Sequence, residues 1–566
     1  MPAVSTDPLW LEKALGDPFR ATDALGFAHA LRLDEREEFP EEAASTLDAL
    51  GLCAMYVPEA LGGRLASFEH LAASLCSVAR RDLTLAIGHG KTVLGSQPVF
   101  LAGDPAIARL VADRVLAGEP IALALTERHA GADLLACRTE ASPRQGGYAL
   151  SGEKWLVNNA TRASALSVFA RTSPREGPRG FSMLFADKGE TEGAHRHLPK
   201  IRTHGIRGAD ISGIRYDDAR CTHPPLGGEG AGLPAVLKTF CITRTLVASL
   251  AVGALDTAIR IVLRFARERA LFGTTVVGIP HARAVLARAI ADLLTCEAAS
   301  LAGARVLQCA PEQAAFWSSV LKYAVPVTVE RAMRDLAVVF GARHYLREGD
   351  AAGAFQKIER DVALLGVFDG STLVNLHAVA LHGRLFARSG GAAGFVESGA
   401  TDLAGPVAPL DPPRLSMMGR DVVRADALAR FACDALASRP EAERARERLL
   451  EHARAAEAGH EAIAASVPRS VADMTPAVVE RAARHARVAL TALAGAACAR
   501  FEPAWGDVAR RGDWLVLAGE DAHAANDDDS RERLLDFALA RVDAGLSLTL
   551  FADRADRAQP ITENEP

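Results

Sequence analysis

The spacing of apolar residues changes twice along this 566-residue chain, which is too long for a single core. From residue 10 to about 118, apolar residues recur three and four apart among Ala, Leu, Glu and Arg, the period of helices that bury one face. At about 120 the texture becomes short β-like runs, IALALTE, YALSGEKWLVNNA, ALSVFART, GFSMLFAD and ISGIRYDD, punctuated by Gly, Pro, Asn and Asp. The helical period returns near Leu233. In 254–272, Leu255, Ile259, Val262, Leu263 and Ala266 share a face, and Gly273 is the expected stop. The next helix aligns Leu286, Ile290, Leu293 and Leu294. The stretch SGGAAGFVESGATDLAGPVAPLDPP (389–413) reads as a linker, and 414–553 is helical again. The expected fold is mainly α with a central β domain. Its parts are an N-terminal helical domain (1–118), a small β-barrel or sandwich domain (119–228), a helical bundle (229–388), the linker (389–413) and an additional C-terminal helical domain (414–566).

Composition narrows the function by exclusion. A net charge of -6 provides no basic surplus for nucleic acid or an anionic membrane. The nine cysteines are scattered without a C-x-x-C pair, so neither a disulfide framework nor a zinc site is expected, and a reducing, cytoplasmic setting fits. The start, MPAVSTDPLWLEKALGD, lacks the basic end and apolar core of a signal peptide. The apolar stretch Leu246–Ala266 is interrupted by Asp256, Arg260 and Arg264, which suits a buried helix better than a membrane span. GGEGAG (227–232) misses dinucleotide-loop spacing, because its third Gly would fall at Leu233. His460-Glu461 does not complete H-E-x-x-H, since 464 is Ala, and Asp527, Asp528 and Asp529 suit a helix N-terminus. No metal site is expected.

Four segments carry more information. ALTERHAGADLLACRTEA (124–141) ends a strand at Thr126-Glu127 and turns at Gly131, where backbone amides can hold a pyrophosphate. The others are GEKWLVNNA (152–160), RFARERALFG (264–273) and RDVALLGVFDGST (360–372). In this order they resemble the T-E-x-x-A-G-S-D, G-x-K-x-x-I-T-N, R-x-x-F-G and R-D-x(7)-E-G-T motifs of the acyl-CoA dehydrogenase superfamily, and the resemblance covers roughly residues 20–385. It implies an FAD between the β domain and the second helical bundle. Leu123, Leu125 and Thr126 would flank its ring, and Leu156, Val157 and Asn158 would cover the other side. Gly131 and Ala132 would approach the pyrophosphate, and Arg269 and Phe272 would reach the FAD of a partner subunit. Gly341 and Ser371 are further implied cofactor contacts, and Arg244, Ala132 and Gly370 implied substrate contacts. The implied reaction removes an α-proton from an acyl-CoA or acyl-carrier-protein thioester by a carboxylate, Asp369, while the β-hydrogen leaves as hydride. The implied electron acceptor is an electron-transfer flavoprotein or oxygen.

Several positions depart from the family pattern. The family's Glu is Asp369 here, one methylene shorter, and a misplacement of about 1 Å can cost on the order of a hundredfold in rate. The alternative site for that Glu is Thr243, so Asp369 is the only aligned carboxylate. The Ser after the A-G pair is Ala132, the aromatic ring cover is Leu156, the Thr of I-T-N is Asn158, and two family Gln positions are Pro280 and Val338. The long tail resembles that of the very-long-chain dehydrogenases and acyl-CoA oxidases, which implies a homodimer. An Asp base also keeps open an oxidase of the same superfamily, acyl-CoA oxidase-like or nitroalkane oxidase-like, and a catalytically silent FAD- or acyl-binding homologue.

Overall fold

The computed structural model describes residues 9–550 apart from 21, 387–390, 404, 420–421, 466 and 520–526. The first eight residues, positions 389–390, 404, 420–421, 466 and 520–526 of the expected linker and last domain, and the tail 551–566 lie outside the described residues.

Six helices come first: Trp10–Leu15, Phe27–Arg36, Glu41–Ala49, Phe68–Ala79, Leu83–Ala102 and Pro105–Leu116. The fifth starts where the Asp82 carboxylate accepts the Thr84 amide, an N-cap that satisfies one orphan donor. Gly95 lets this helix press on the β domain, because a Cβ there would sit 2.1 Å from the Ile121 carbonyl oxygen.

The seven-stranded sheet follows. Ile121–Ala124 pairs in parallel with Ala165–Arg171, which pairs antiparallel with Phe181–Asp187. Glu140–Arg144, Gly147–Asn158, Ile211–Cys221 and His195–Leu198 continue as an antiparallel series. Side chains alternate across the pleat. Ala122 and Ala124 therefore enter the core inside the sheet, while Leu123 and Leu125 join the helical core.

Three long helices, Gly232–Glu268, Pro280–Cys309 and Ala314–Phe340, pack with Thr372–Phe386 as the bundle. Among the described residues only Gly232–Glu268 is long and apolar enough to cross a membrane, and its apolar window is wholly buried. This helix ends at Glu268, before the expected stop. Ala270–Leu271 pairs with Thr274–Thr275, and both turn residues are left-handed, Phe272 at φ 53° and Gly273 at φ 79°. Gly273 thus serves a tight hairpin, whose primed turn demands positive φ, rather than a helix end.

The stretch expected as a linker is packed. It holds the short helix Ala393–Glu397, buries Phe395, Val396, Ala400 and Leu403, and receives Arg305 on the carbonyls of Gly399, Gly405 and Pro406. The later helices Ala425–Ala435, Glu443–Ala464, Pro476–Cys498 and Asp528–Asp543 share one continuous core with the bundle. Buried carboxylates also hold the segment beyond them. Asp256 accepts the Leu548 amide, and Glu297 accepts Thr549 Oγ1 and the Leu550 amide.

Candidate active site

Asp369 lies in the turn before the helix Thr372–Phe386, with left-handed backbone at φ 54°. Asp tolerates this region better than most residues. Gly370 follows at φ 99°, and here glycine is required twice over. Its φ disfavours a side chain, and a Cβ would meet the Arg244 guanidinium at 2.6 Å. Arg244 Nε donates to the Asp369 carbonyl oxygen at 2.8 Å, and Asn375 Nδ2 donates to the Gly370 carbonyl at 2.8 Å. Both bonds fix the turn, so the carboxylate is presented by a tethered backbone.

The carboxyl of Asp369 is 6% exposed and points into a narrow cleft with about 330 Å³ of empty space, part of it open to solvent. Leu75, Ala86, Ile87, Val93, Leu94, Leu246, Val247, Leu250 and Phe368 make its apolar walls, with Thr243 and Lys91 as the other polar lining groups. Lys91 Nζ donates to both Asp369 oxygens at 2.8 and 2.9 Å and lies 4.0 Å from the Phe368 ring centre. Burial lowers the Lys91 pKa, against the pull of Asp369. A second amine, Lys322, donates to the Leu365 carbonyl and sits 4.9 Å from the same ring. Burial pushes its pKa down to about 7, with Lys91 and Arg244 repelling it and Asp369 attracting it. Sequence reasoning missed both lysines.

The strand pair expected to face a flavin belongs to the β domain. The Trp155 amide donates to the Thr126 carbonyl at 2.9 Å, joining the ends of the first and third strands. The register slips between Trp155 and Val157, and Leu156 in this bulge has φ 55° and is 43% exposed. Val157 is packed into the core inside the sheet, which leaves only its backbone for a ligand. Thr126 and Asn158 are half-buried, and Asn158 Oδ1 is a buried acceptor without a hydrogen-bond partner. Gly131 and Ala132 lie in an exposed turn, and open space surrounds the Gly131 Cα.

Glu127, in the same segment, has a structural task. It accepts Lys154 Nζ, Thr139 Oγ1 and the amides of Arg138 and Thr139. Burial would raise its pKa, but Lys154 and these donors hold it at about 2. Both residues lay within the quoted motifs, so the pairing was open to discovery. Arg269, Phe272 and Gly341 are exposed, away from the cleft, and Ser371 is half-buried in the turn after Gly370. One other cluster, Asp48, Cys53 and His89, brings three ligand-type atoms within 4.8 Å of one another. It is a hydrogen-bonded knot. The Cys53 thiol donates to Asp48 at 2.8 Å, and burial pushes the thiol pKa up, which opposes the thiolate that a metal needs.

A helical, β and helical order, with a carboxylate lining an apolar cleft and a bulge in the β domain, is the architecture of a flavin-dependent dehydrogenase fold. Residues 22–119, 122–219 and 230–382 match the N-terminal, middle and C-terminal domain models of acyl-CoA dehydrogenase. The chain belongs to the acyl-CoA dehydrogenase superfamily. It is 28% identical over 354 residues to the cyclohex-1-ene-1-carbonyl-CoA dehydrogenase of Geobacter metallireducens, covering 61% of this chain and 90% of that protein. It is 26% identical over 352 residues to an acyl-CoA dehydrogenase of Bacillus subtilis, covering 60% of this chain and 88% of that protein. The fold matches butyryl-CoA dehydrogenase from Megasphaera elsdenii at a TM-score of 0.60 and 22% identity, over 67% of this chain and 98% of that one. It matches an acyl-CoA dehydrogenase from Bacillus anthracis, complexed with FAD, at 0.65 and 18% identity, over 96% of this chain and 88% of that one. The later helices are therefore part of a shared architecture. FAD is the cofactor of this fold, and the unpartnered Asn158 Oδ1 and the open Gly131 turn fit its polar ring edge and its phosphates.

Proposed function

We propose that this chain dehydrogenates an acyl-CoA thioester between Cα and Cβ, with Asp369 taking the α-proton. The supporting observation is that Asp369 is the one carboxylate lining an otherwise largely apolar cleft. Arg244 and Gly370 hold its turn, so Oδ1 or Oδ2 can meet the α-proton without a search over rotamers. The apolar walls exclude water and strengthen every electrostatic contact within. Thr126, Asn158 and the Gly131–Ala132 turn would hold FAD, which supplies the acceptor for the β-hydride. The electrons would pass on to an electron-transfer flavoprotein, since the relatives carry dehydrogenase names. The nine free cysteines suit a reducing, cytoplasmic setting. We further propose a homodimer closed over the hairpin bearing Phe272, which is 96% exposed, as an apolar ring seldom is without a partner.

Anaerobic mixing of the holoenzyme with acyl-CoA and acyl-carrier-protein panels tests this reading. Bleaching of the flavin by a thioester supports it, and silence across both panels overturns it. Hydrogen peroxide formed in air would shift the acceptor to oxygen. A second reading, a thioester-binding homologue without turnover, is favoured by one observation, the clamp of Lys91 on both oxygens of the base.

A further inference from the structure

The proton inventory of the cleft points to a substrate class. Lys91 Nζ reaches both Asp369 oxygens, whereas Arg244 bonds the Asp369 carbonyl and Lys322 the Leu365 carbonyl. Among the described lining residues, Asp369 alone supplies a counter-charge for Lys91. When Asp369 takes the α-proton it becomes neutral. Lys91 then stands as an ammonium without a counter-ion, among Leu75, Ile87, Leu94, Leu246 and Leu250. Such a charge is strongly disfavoured unless something anionic replaces the lost partner. A plain alkyl thioester brings no group to replace the contact that Lys91 loses.

A second observation is independent of this one. Thr243 lines the same cleft, is 5% exposed, and its Oγ1 has no hydrogen-bond partner. A buried hydroxyl left unpaired is unfavourable, and it is able to donate to an acceptor that enters the cleft. An alkyl chain satisfies neither Lys91 nor Thr243. A carboxylate satisfies both.

Building on the dehydrogenase reading above, we propose that the preferred substrate is a thioester of a dicarboxylic acid, whose free carboxylate is bound by Lys91 and Thr243. Binding draws Lys91 away from Asp369 and releases the base when the correct substrate is present. Lys91 and Thr243 are then specificity determinants, and Asp369 remains the group that touches the reacting atoms.

Matched pairs of thioesters test the inference on the full-length holoenzyme. Succinyl-, glutaryl- and adipoyl-CoA are compared with butyryl-, valeryl- and hexanoyl-CoA by anaerobic stopped-flow reduction of the flavin. The carboxylated member of at least one pair should be favoured in kcat/KM by on the order of a hundredfold. Lys91→Met should erase that preference with the flavin spectrum retained, and Lys91→Arg should keep most of it. Thr243→Val should reduce it by about tenfold. A binding measurement needs no turnover. In Asp369→Asn, Lys91 has no counter-ion, so the carboxylated ligands should bind at least about tenfold more tightly than to wild type, and the alkyl ligands should not. Equal rates within every pair, or a preference that survives Lys91→Met, would overturn the inference while leaving the dehydrogenase reading intact. Failure of both series to bleach the wild-type flavin would overturn that reading, and this inference with it.

Discussion

Lys91 and Asp369, 278 residues apart in the chain, form a two-pronged ion pair at 2.8 and 2.9 Å. It joins the middle of the helix Leu83–Ala102 to the turn before Thr372–Phe386. The contact places the candidate base and a cation in one cleft, so removing the charge of either leaves the other without the partner it touches.

Removing the base charge should separate chemistry from assembly. Asp369→Asn keeps the size of the side chain and the Arg244 bond to its backbone, so the FAD spectrum should be retained, while the thermal midpoint should fall because Lys91 loses its counter-ion. Flavin reduction by the best thioester should fall by about a thousandfold or more, the range for loss of a general base. Stopped-flow absorbance measures this directly. Reduction at the wild-type rate would assign the proton transfer to another group.

Lys322 gives a pH-dependent prediction. Its pKa is pushed down to about 7, mainly by burial, from the ordinary lysine value of 10.5. Between these values the unfolded chain holds a proton that the folded protein has released, so this group makes stability rise with pH across that window. Below about pH 7 its cost is complete. Lys322→Met removes the buried amine and also the donor to the Leu365 carbonyl. The variant should gain about 2 kcal/mol at pH 6, a gain that shrinks towards pH 10. Denaturant midpoints at pH 6, 8 and 10 give the comparison, and a constant difference would refute the assignment.

The hairpin tip bears on assembly. Phe272 is 96% exposed, and Val338 and Tyr345 are also largely exposed. Phe272→Asp should therefore leave the monomer fold intact and shift a dimer towards monomer by about tenfold or more in Kd, because a buried aromatic anchor is replaced by a charge. Light scattering over a concentration series reads the shift. An unchanged dimer would move the interface elsewhere.

How much of this was visible in the residues depends on whether the signal is local. The helical and β periods and the buried helix around Leu246–Ala266 are local patterns, and they lie where the period put them. The end of the helix at Glu268 was not, because Gly273 suits a helix stop and a hairpin equally, and strand pairing decides between them. Lys91 was invisible for a stronger reason. A lone lysine on a helix is ordinarily solvated, but Leu83–Ala102 is packed on nearly every face, so that its lysine is turned into the cleft. Lys322 is likewise on a helix whose flanks are buried. Val157 was placed against a flavin by motif alone, whereas the pleat directs its side chain into the sheet core.

The strand carrying the residues proposed to face the flavin depends on a buried charge outside the cleft lining. Lys154 is fully buried and donates to Glu127 Oε1 and to the Leu125 carbonyl, both at 2.9 Å. It thereby ties the bulged strand to the end of the first strand, between Leu125 and Thr126 on one side and Leu156 and Asn158 on the other. Lys154→Met keeps the volume but leaves the Glu127 carboxylate buried with its Thr139 and Arg138 donors and the more distant, half-exposed His129 ring at 3.5 Å. Breaking a buried pair by removing one partner costs about 3–5 kcal/mol. The loss should be largest where Glu127 is ionised. Its pKa is held at about 2 against the ordinary glutamate value of 4.5, so the pair's contribution is complete above about pH 4.5 and disappears as pH falls through about 2. Lys154→Met should therefore be strongly destabilised at pH 7 and approach wild type in acid, with weakened FAD retention at neutral pH because Thr126 and Asn158 lose their common support. Thermal midpoints from about pH 2 to pH 8 and flavin release at neutral pH measure the two effects. A variant as stable as wild type at pH 7 would show that the two strands are held by backbone pairing alone.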